Sequence, residues 1–274
     1  MKTTSLAIFI DSYDGCSDIW KSFFKIFDSY WPSCSFPKYL ITNSKTIKED
    51  KLTIVHTGDE INWFDRTIRG LESVNEDYIL FLLEDYFISK KTNDQDLSSI
   101  VQSMQEKDIY YYQLSGPLKK LPDCPDGFGK IIPQNTKYPI SLQIAIWNKA
   151  KFLDVLMEMQ RNGAKSPWDF ERYYVELYSK AYSASCMQAI PGARADARDL
   201  LGYKNGVLQG KWIRATLRFY KKQGIKLDTS GREIMSVKDT VNYNLKVFGA
   251  LYLKGKFGGT LKKVLRVFGY KFMS

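Results

Sequence analysis

Histidine is almost missing from this chain, with one in 274 residues. The four cysteines, Cys16, Cys34, Cys124 and Cys186, stand far apart, and no C-x-x-C pair occurs. A zinc site needs several closely spaced Cys or His ligands, so that chemistry is excluded. Scattered cysteines also fit a reducing compartment better than a disulfide framework. No glycine-rich turn follows the first apolar run, Leu6–Ile10, which disfavours a Rossmann-type dehydrogenase or methyltransferase. Long apolar runs are lacking as well. The opening MKTTSLAIFID holds five apolar residues before Asp11, too few for a signal-peptide core, and no later segment reaches transmembrane length. The expectation is a soluble or peripheral protein. No internal repeat, low-complexity tract or nucleic-acid motif is present.

Acidic residues are scarce in one region only. Residues 208–274 hold 15 Lys/Arg against 3 Asp/Glu, a net of +12, whereas residues 1–207 hold 25 against 27. The whole excess of +10 therefore sits in the last quarter, a distribution that suits an anionic partner such as a lipid surface or nucleic acid. Within it, Ile213, Leu217 and Tyr220 recur at helical spacing beside Arg214, Arg218, Lys221 and Lys222. Leu261, Val264, Leu265, Phe268 and Phe272 do so among Lys262, Lys263, Arg266 and Lys271. Basic amphipathic helices with aromatics have the composition of interfacial membrane binders; the alternative is an apolar stripe packed on the rest of the protein. Gly249, Gly255, Gly258 and Gly259 favour two shorter helices over one. The chain is thus expected to divide into a domain at 1–207 and a basic helical region at 208–274.

Within the first region, Leu6–Ile10 reads as a strand buried on both faces, and Ser17 or Asp18 caps a helix running to about Tyr30. Tyr39–Thr42 and Leu52–Val55 follow as strands, and Asp59 opens a helix that carries Trp63, Arg66, Ile68, Arg69 and Leu71. Asp77–Leu83 is the strongest strand and stops at Glu84-Asp85. A helix near Asp96–Gln105, a strand at Ile109–Leu114, an irregular stretch from Gly116 to about Lys137 and a strand at Ser141–Trp147 come next. Helices at Lys149–Gln160 and from Ser166, and a last core strand at Ser183–Ile190, complete the pattern. The order β-α-β-β-α-β predicts an α/β fold with a mainly parallel sheet. In such sheets ligands gather beyond the carboxyl ends of the strands, where Asp11 and Glu84-Asp85 fall.

Two adjacent carboxylates at a strand end repel each other unless something cationic offsets them: a metal, a metal-bound diphosphate or an arginine. Arg66 and Arg69 stand on the preceding helix and suit phosphate. Solvated loop acids are the bland alternative. Trp168-Asp169-Phe170-Glu171 opens a helix after Pro167, where acids also serve capping and dipole needs. The functional alternative is a general base for an attacking hydroxyl, with Trp168 as a flat surface for a sugar ring. Asp169 and Glu171 diverge on a helix, so one of them faces a site, and Glu171 is preferred. Aromatics make up 15% of residues, which serves a core as well as sites that stack on flat ligands.

Ile8–Asp14, Phe81–Phe87, Ser141–Trp147 and Ser166–Glu171, in this order and spacing over about residues 5–190, resemble bacterial surface-polysaccharide (O-antigen, capsule or lipopolysaccharide) glycosyltransferases with a GT-A-like nucleotide-diphospho-sugar transferase fold. The resemblance implies a Rossmann-related mixed sheet flanked by helices. It implies sugar transfer from a nucleotide-sugar donor to a lipid-linked saccharide acceptor; the basic tail adds the expectation of a peripheral place on the cytoplasmic face of the plasma membrane, and a plausible Asp or Glu base favours inversion over retention. Asp169 or Glu171 would be that base. Asp11, Ser12, Arg66, Arg69, Glu84 and Asp85 would hold the donor, and Gln143, Trp147 and Trp168 the acceptor. Glu84-Asp85 would take the place of the family's D-x-D motif. Here the sequence departs from the pattern, because Tyr86 stands where that motif's last acid would be, and a phenol is a poor ligand for Mg²⁺ or Mn²⁺. Either Asp85 is the metal ligand, or the enzyme is metal-independent and meets the diphosphate with Arg and Lys. No nucleic-acid partner is expected on this reading; the alternative is a non-catalytic or nucleic-acid-binding α/β protein acting through its basic tail.

Overall fold

Leu6–Asp11 forms β1 and is buried at every position, as a strand covered on both faces must be. A computed structural model describes residues 5–59, 61–115, 121–133, 139–179, 193–196 and 198–243, and the chain divides into two compact units, Met1–Asn205 and Gly206–Ser274. In the first unit, β1 leads through a 3₁₀ turn at Asp14–Cys16 into α1 (Ser17–Tyr30). Cys16 is the N-cap and makes no side-chain capping bond, so Ser17 and Asp18 lie inside the helix instead of capping it. The strands β2 (Lys38–Thr42) and β3 (Leu52–His56) follow. The second helix, α2 (Trp63–Glu72), starts four residues later than Asp59. Its cap is Asn62, whose side chain accepts from Asp65 N at 3.1 Å, and this satisfies one of the otherwise unpaired first-turn N–H groups.

After β4 (Tyr78–Leu83) the chain turns at Glu84-Asp85 into β5 (Tyr86–Ile88). Next come α3 (Asp94–Glu106, capped by Asn93), β6 (Tyr111–Gln113) and β7 (Lys130–Ile131). Then follow β8 (Ala145–Asn148), α4 (Lys149–Arg161, capped by Asn148), α5 (Pro167–Ser179), β9 (Arg194–Ala195) and β10 (Tyr203–Asn205). The main sheet has the order β3-β2-β1-β4-β8-β6-β9-β7. Its first four strands are parallel, whereas β8 enters antiparallel between β4 and β6. The sheet is therefore mixed, as the resemblance implies, with β9 parallel to β6 and antiparallel to β7. Of the apolar run Ser141–Trp147 only the end joins this ladder. Leu142 N is taken by the Glu171 carboxylate at 2.9 Å and Gln143 N by Ser141 Oγ at 3.3 Å, which holds the start of the run outside the strand pairing.

One face of the sheet supplies Phe9, Ile41, Ile79, Phe81, Tyr111 and Trp147 to a core closed by Phe64 and Leu71 of α2, Phe152 and Leu156 of α4 and Phe170 of α5. Strand alternation leaves Ile8, Ile10, Leu80 and Leu82, also fully buried, for the other face. At about 1.5–3 kcal/mol for each fully buried large apolar side chain, these two layers dominate the stability of the unit. A second, two-stranded sheet pairs β10 antiparallel with β5, placing Tyr203 opposite Ile88 and Asn205 opposite Tyr86. Gly202, at φ +44°, permits this: a Cβ there would stand 2.9 Å from Ser89 Oγ and from Lys90 Cγ.

In the second unit β11 (Val207–Leu208) pairs with β12 (Lys211–Trp212), followed by α6 (Arg214–Lys222). Ile213 is the residue before α6, which buries Tyr220 and exposes Arg218, Lys221 and Lys222. The expected strand at 183–190 and the expected helix around Leu261–Phe272 lie outside the described residues. No helix among the described residues is long and apolar enough to cross a membrane.

Candidate active site

Asp11 pairs in register with Leu83, so the end of β1 and the turn after β4 leave the sheet at the same edge. Asp11 is only 1% exposed. Its Oδ2 accepts from Trp63 Nε1 at 2.5 Å and Thr67 Oγ1 at 3.2 Å, while Oδ1 faces Arg66 Nε at 3.8 Å. Burial raises the carboxyl's proton affinity against the opposing pull of Arg66, Trp63 and Thr67. Neither Asp11 Oδ1 nor Arg66 Nε has a hydrogen-bond partner. The Arg66 guanidinium also lies 5.6 Å from the Tyr13 ring, and that ring is 45% exposed. Arg66 is thus committed to Asp11 before any phosphate arrives. Arg69 does not join it: exposed, it donates to Thr57 O at 2.9 Å. Ser12 is buried, with its Oγ accepting from Trp20 Nε1 at 2.7 Å, so its hydroxyl anchors α1 and is not offered to a donor.

Glu84 and Asp85 occupy different surroundings. Glu84 is buried, and its proton affinity is pushed up to about 7 by burial and then by the charge of Asp85, against a hydrogen bond from the Cys16 thiol. Asp85 is half-buried. Tyr86 is buried, its ring 5.2 Å from that of Tyr203. Burial, then Asp85, Tyr203, Glu171 and Glu84, all favour its neutral phenol. Of these, Tyr203 is in ring contact with Tyr86. The Tyr203 phenol donates to Gln143 Oε1, which brings Gln143 to the same cluster.

The first turn of α5 separates the two candidate bases. Ser166 and Asp169 form a capping box: Asp169 Oδ2 accepts from Ser166 N at 2.8 Å, Ser166 Oγ at 2.8 Å and Lys165 N at 3.0 Å. Asp169 N donates to Ser166 Oγ at 3.3 Å. The bonds from Lys165 and Ser166 hold the Asp169 carboxyl down at about 2, and Oδ1 is taken by Arg172 at 2.9 Å. Such a carboxylate starts the helix and is a weak base. Glu171 points the other way. It is half-buried, Oε1 accepts from Leu142 N, and burial raises its proton affinity despite that bond. Its charge is felt by Tyr86 and by the buried Tyr111. Trp168, 73% exposed, opens the same turn. Trp147 corrects the expectation made for it: it is fully buried, 4.4 Å from the rings of both Tyr111 and Phe152, and belongs to the core.

Of the carboxylates at this edge, Asp85 is half-buried and the others are engaged or buried. Asp11 is engaged by Trp63, Thr67 and Arg66, Glu84 is buried under the Cys16 thiol, and the next position is Tyr86. Among the described residues no group of three or more His, Cys, Asp and Glu is placed to hold an ion. A cavity of about 500 Å³ elsewhere in the unit is lined by Ser99 and Ser103 of α3, Tyr112, Phe128, Asp196 and Arg198; none of the expected site residues borders it.

Tyr203, Tyr111 and Cys16 are neighbours of the cluster that motif reading passes over. Tyr203 lies in a three-residue strand, too short for periodicity to register, and its only local signal is the Gly202 turn before it.

No family model matches the chain, and no curated protein does. Among solved structures, S. aureus TarS aligns at TM-score 0.40 and 12% identity over 73% of this chain and 36% of that one. The 1-349 form of TarS in complex with UDP-GlcNAc aligns at 0.33 and 14%, over 55% and 47%. The 2-C-methyl-D-erythritol 4-phosphate cytidylyltransferase from Thermus thermophilus aligns at 0.42 and 10%, over 87% and 96%. The chain spans 36% of the length of the first of these.

Proposed function

We propose that this protein is a glycosyltransferase that moves a sugar from a nucleoside-diphosphate donor to a saccharide acceptor, with Glu171 as the base. The observation that carries the reading is the placement of Glu171. A half-buried carboxylate with raised proton affinity accepts from Leu142 N, and the next residue, Gln143, is linked through Tyr203 to Tyr86, which follows Glu84 and Asp85. A base is most effective when its proton affinity approaches the working pH, and Glu171 is shifted in that direction whereas Asp169 is shifted away. In the reaction the acceptor hydroxyl oxygen attacks the anomeric carbon, and its proton passes to the Glu171 carboxylate. The bond from the anomeric carbon to the diphosphate oxygen breaks, and its electron pair leaves with the nucleoside diphosphate. Attack opposite the leaving group inverts the anomeric centre. Trp168 offers the acceptor ring an apolar face, and Gln143, oriented by Tyr203, offers its amide.

The acceptor in this reading is lipid-linked and belongs to surface polysaccharide or lipopolysaccharide synthesis, with the protein peripheral on the cytoplasmic face of the plasma membrane. The +12 of residues 208–274 and the exposed Arg218, Lys221 and Lys222 of α6 support that placement. Each cation near an anionic leaflet contributes about 1 kcal/mol. Thermal-shift titration with UDP, GDP and dTDP and their sugars, followed by product detection on a saccharide acceptor, tests the enzyme. One nucleotide should raise Tm, and its sugar should be transferred or hydrolysed; if none binds, the reading fails. Co-sedimentation with phosphatidylglycerol vesicles tests the membrane. Binding should fall with salt, and the charge reversals Lys221→Glu and Lys222→Glu should weaken it.

A further inference from the structure

We infer that the nucleotide diphosphate is bound here without a divalent cation, its charge met by side chains of the protein. This rests on the donor reading above and concerns the same edge of the sheet. A hard cation such as Mg²⁺ is held through one or two carboxylates beside the phosphates, and at this edge the fold engages Asp11 and buries Glu84, which leaves Asp85. Asp11 is inside the core of the unit, with Trp63 at 2.5 Å, Thr67 at 3.2 Å and Arg66 at 3.8 Å. Releasing it to an ion would leave Trp63 Nε1 without its acceptor and the buried Arg66 without its counter-charge, a costly exchange.

Tyr86 occupies the position next in line. It cannot turn outward to expose another ligand, because β5 is paired residue by residue with β10 and the ring is packed on Tyr203. Glu84 is buried beside the 3₁₀ turn, where the Cys16 thiol donates to it. Asp85 is left as the carboxylate of the turn that reaches the surface, the minimum for an ion site beside phosphates.

A cation is at hand instead, from another element. Arg66 is already engaged with Asp11. Lys45 is exposed and reaches Ser17 Oγ at 3.0 Å and Asp14 O at 3.2 Å. Its ammonium therefore flanks the turn that carries Cys16, and Cys16 in turn touches Glu84. Donors of this kind can meet an anion without an ion between.

Isothermal calorimetry on the full chain with UDP, GDP and dTDP decides the matter, each run once in EDTA and once in excess Mn²⁺ or Mg²⁺. The nucleotide that binds should do so with the same affinity, within about twofold, in both conditions. In EDTA, Lys45→Gln should weaken it by about tenfold, the loss expected for one charge-assisted bond. Binding that needs Mn²⁺ or Mg²⁺ overturns the inference and leaves the donor reading intact. Failure of all three nucleotides under both conditions removes the donor reading, and the inference with it. A Lys45→Gln variant that binds as tightly as the parent in EDTA rejects the role given to that side chain.

Discussion

The turn after β4 and the first turn of α5 each present two acids within three residues, and in both places the fold separates them. After β4, Glu84 is turned under the Cys16 thiol and buried, while Asp85 stays near the surface. At the start of α5, Asp169 is turned back onto Lys165 and Ser166, while Glu171 accepts from Leu142 N. The means differ. Burial pushes the Glu84 carboxyl up, whereas backbone hydrogen bonds hold Asp169 down. Adjacent acids in a motif are therefore poor units of function, and each must be placed by its own partners.

Removing the proposed base should break this comparison most severely. Glu171→Gln keeps the bond from Leu142 N but cannot take a proton, so kcat should fall by about 10²–10⁴, with nucleotide affinity unchanged by calorimetry. In the parent, kcat/KM should fall on the acid side through a pKa above the ordinary glutamate value of 4.5.

A smaller effect is expected at Glu84. Its proton is held more tightly in the folded than in the unfolded chain, so its contribution is most favourable below about pH 4.5 and is lost as pH rises through about 7. At about pH 8 Glu84→Gln should melt higher than the parent, and near pH 4 that advantage should be gone. Equal differences at both pH values would show that Glu84 is not buried as described.

Asp169→Ala removes half of a capping box and should cost about 1 kcal/mol. Its sign of pH dependence is opposite: the contribution is present above the ordinary aspartate value of 3.8 and disappears as pH falls towards about 2. Turnover should hold within about twofold once the protein is folded, and a loss as large as that of Glu171→Gln would reverse the assignment. The smallest change in stability belongs to Trp168→Ala, within about 0.5 kcal/mol for so exposed a side chain. Its effect should instead be a raised KM for the acceptor, and an unaltered KM would remove Trp168 from the site.

The sequence makes the parallel half of the sheet legible because β1 and β4 are continuous apolar runs, a pattern that burial on both faces requires. The same holds for α4 and α5, marked by Asn148 and by Ser166-Pro167. The other half is written in strands of two to four residues, β6 to β9, whose pairing depends on partners distant in the chain. Trp147 shows the cost of this, since as a motif residue it resembled a binding surface, yet its strand lies in the middle of the sheet. Asp169 was open to a better reading: Ser166 three residues before it is a capping signature. Arg66 was not, because nothing local says that a helical arginine will face a buried Asp11 fifty-five residues earlier.

The most direct measurement is a crystal structure of the full chain soaked with the nucleoside diphosphate that raises its Tm. The diphosphate should lie at the turn Glu84-Asp85 with its terminal phosphate toward Glu171. A nucleotide seated instead in the cavity between α3, Tyr112 and Arg198, with the edge near Glu171 empty, would contradict the assignment of the site.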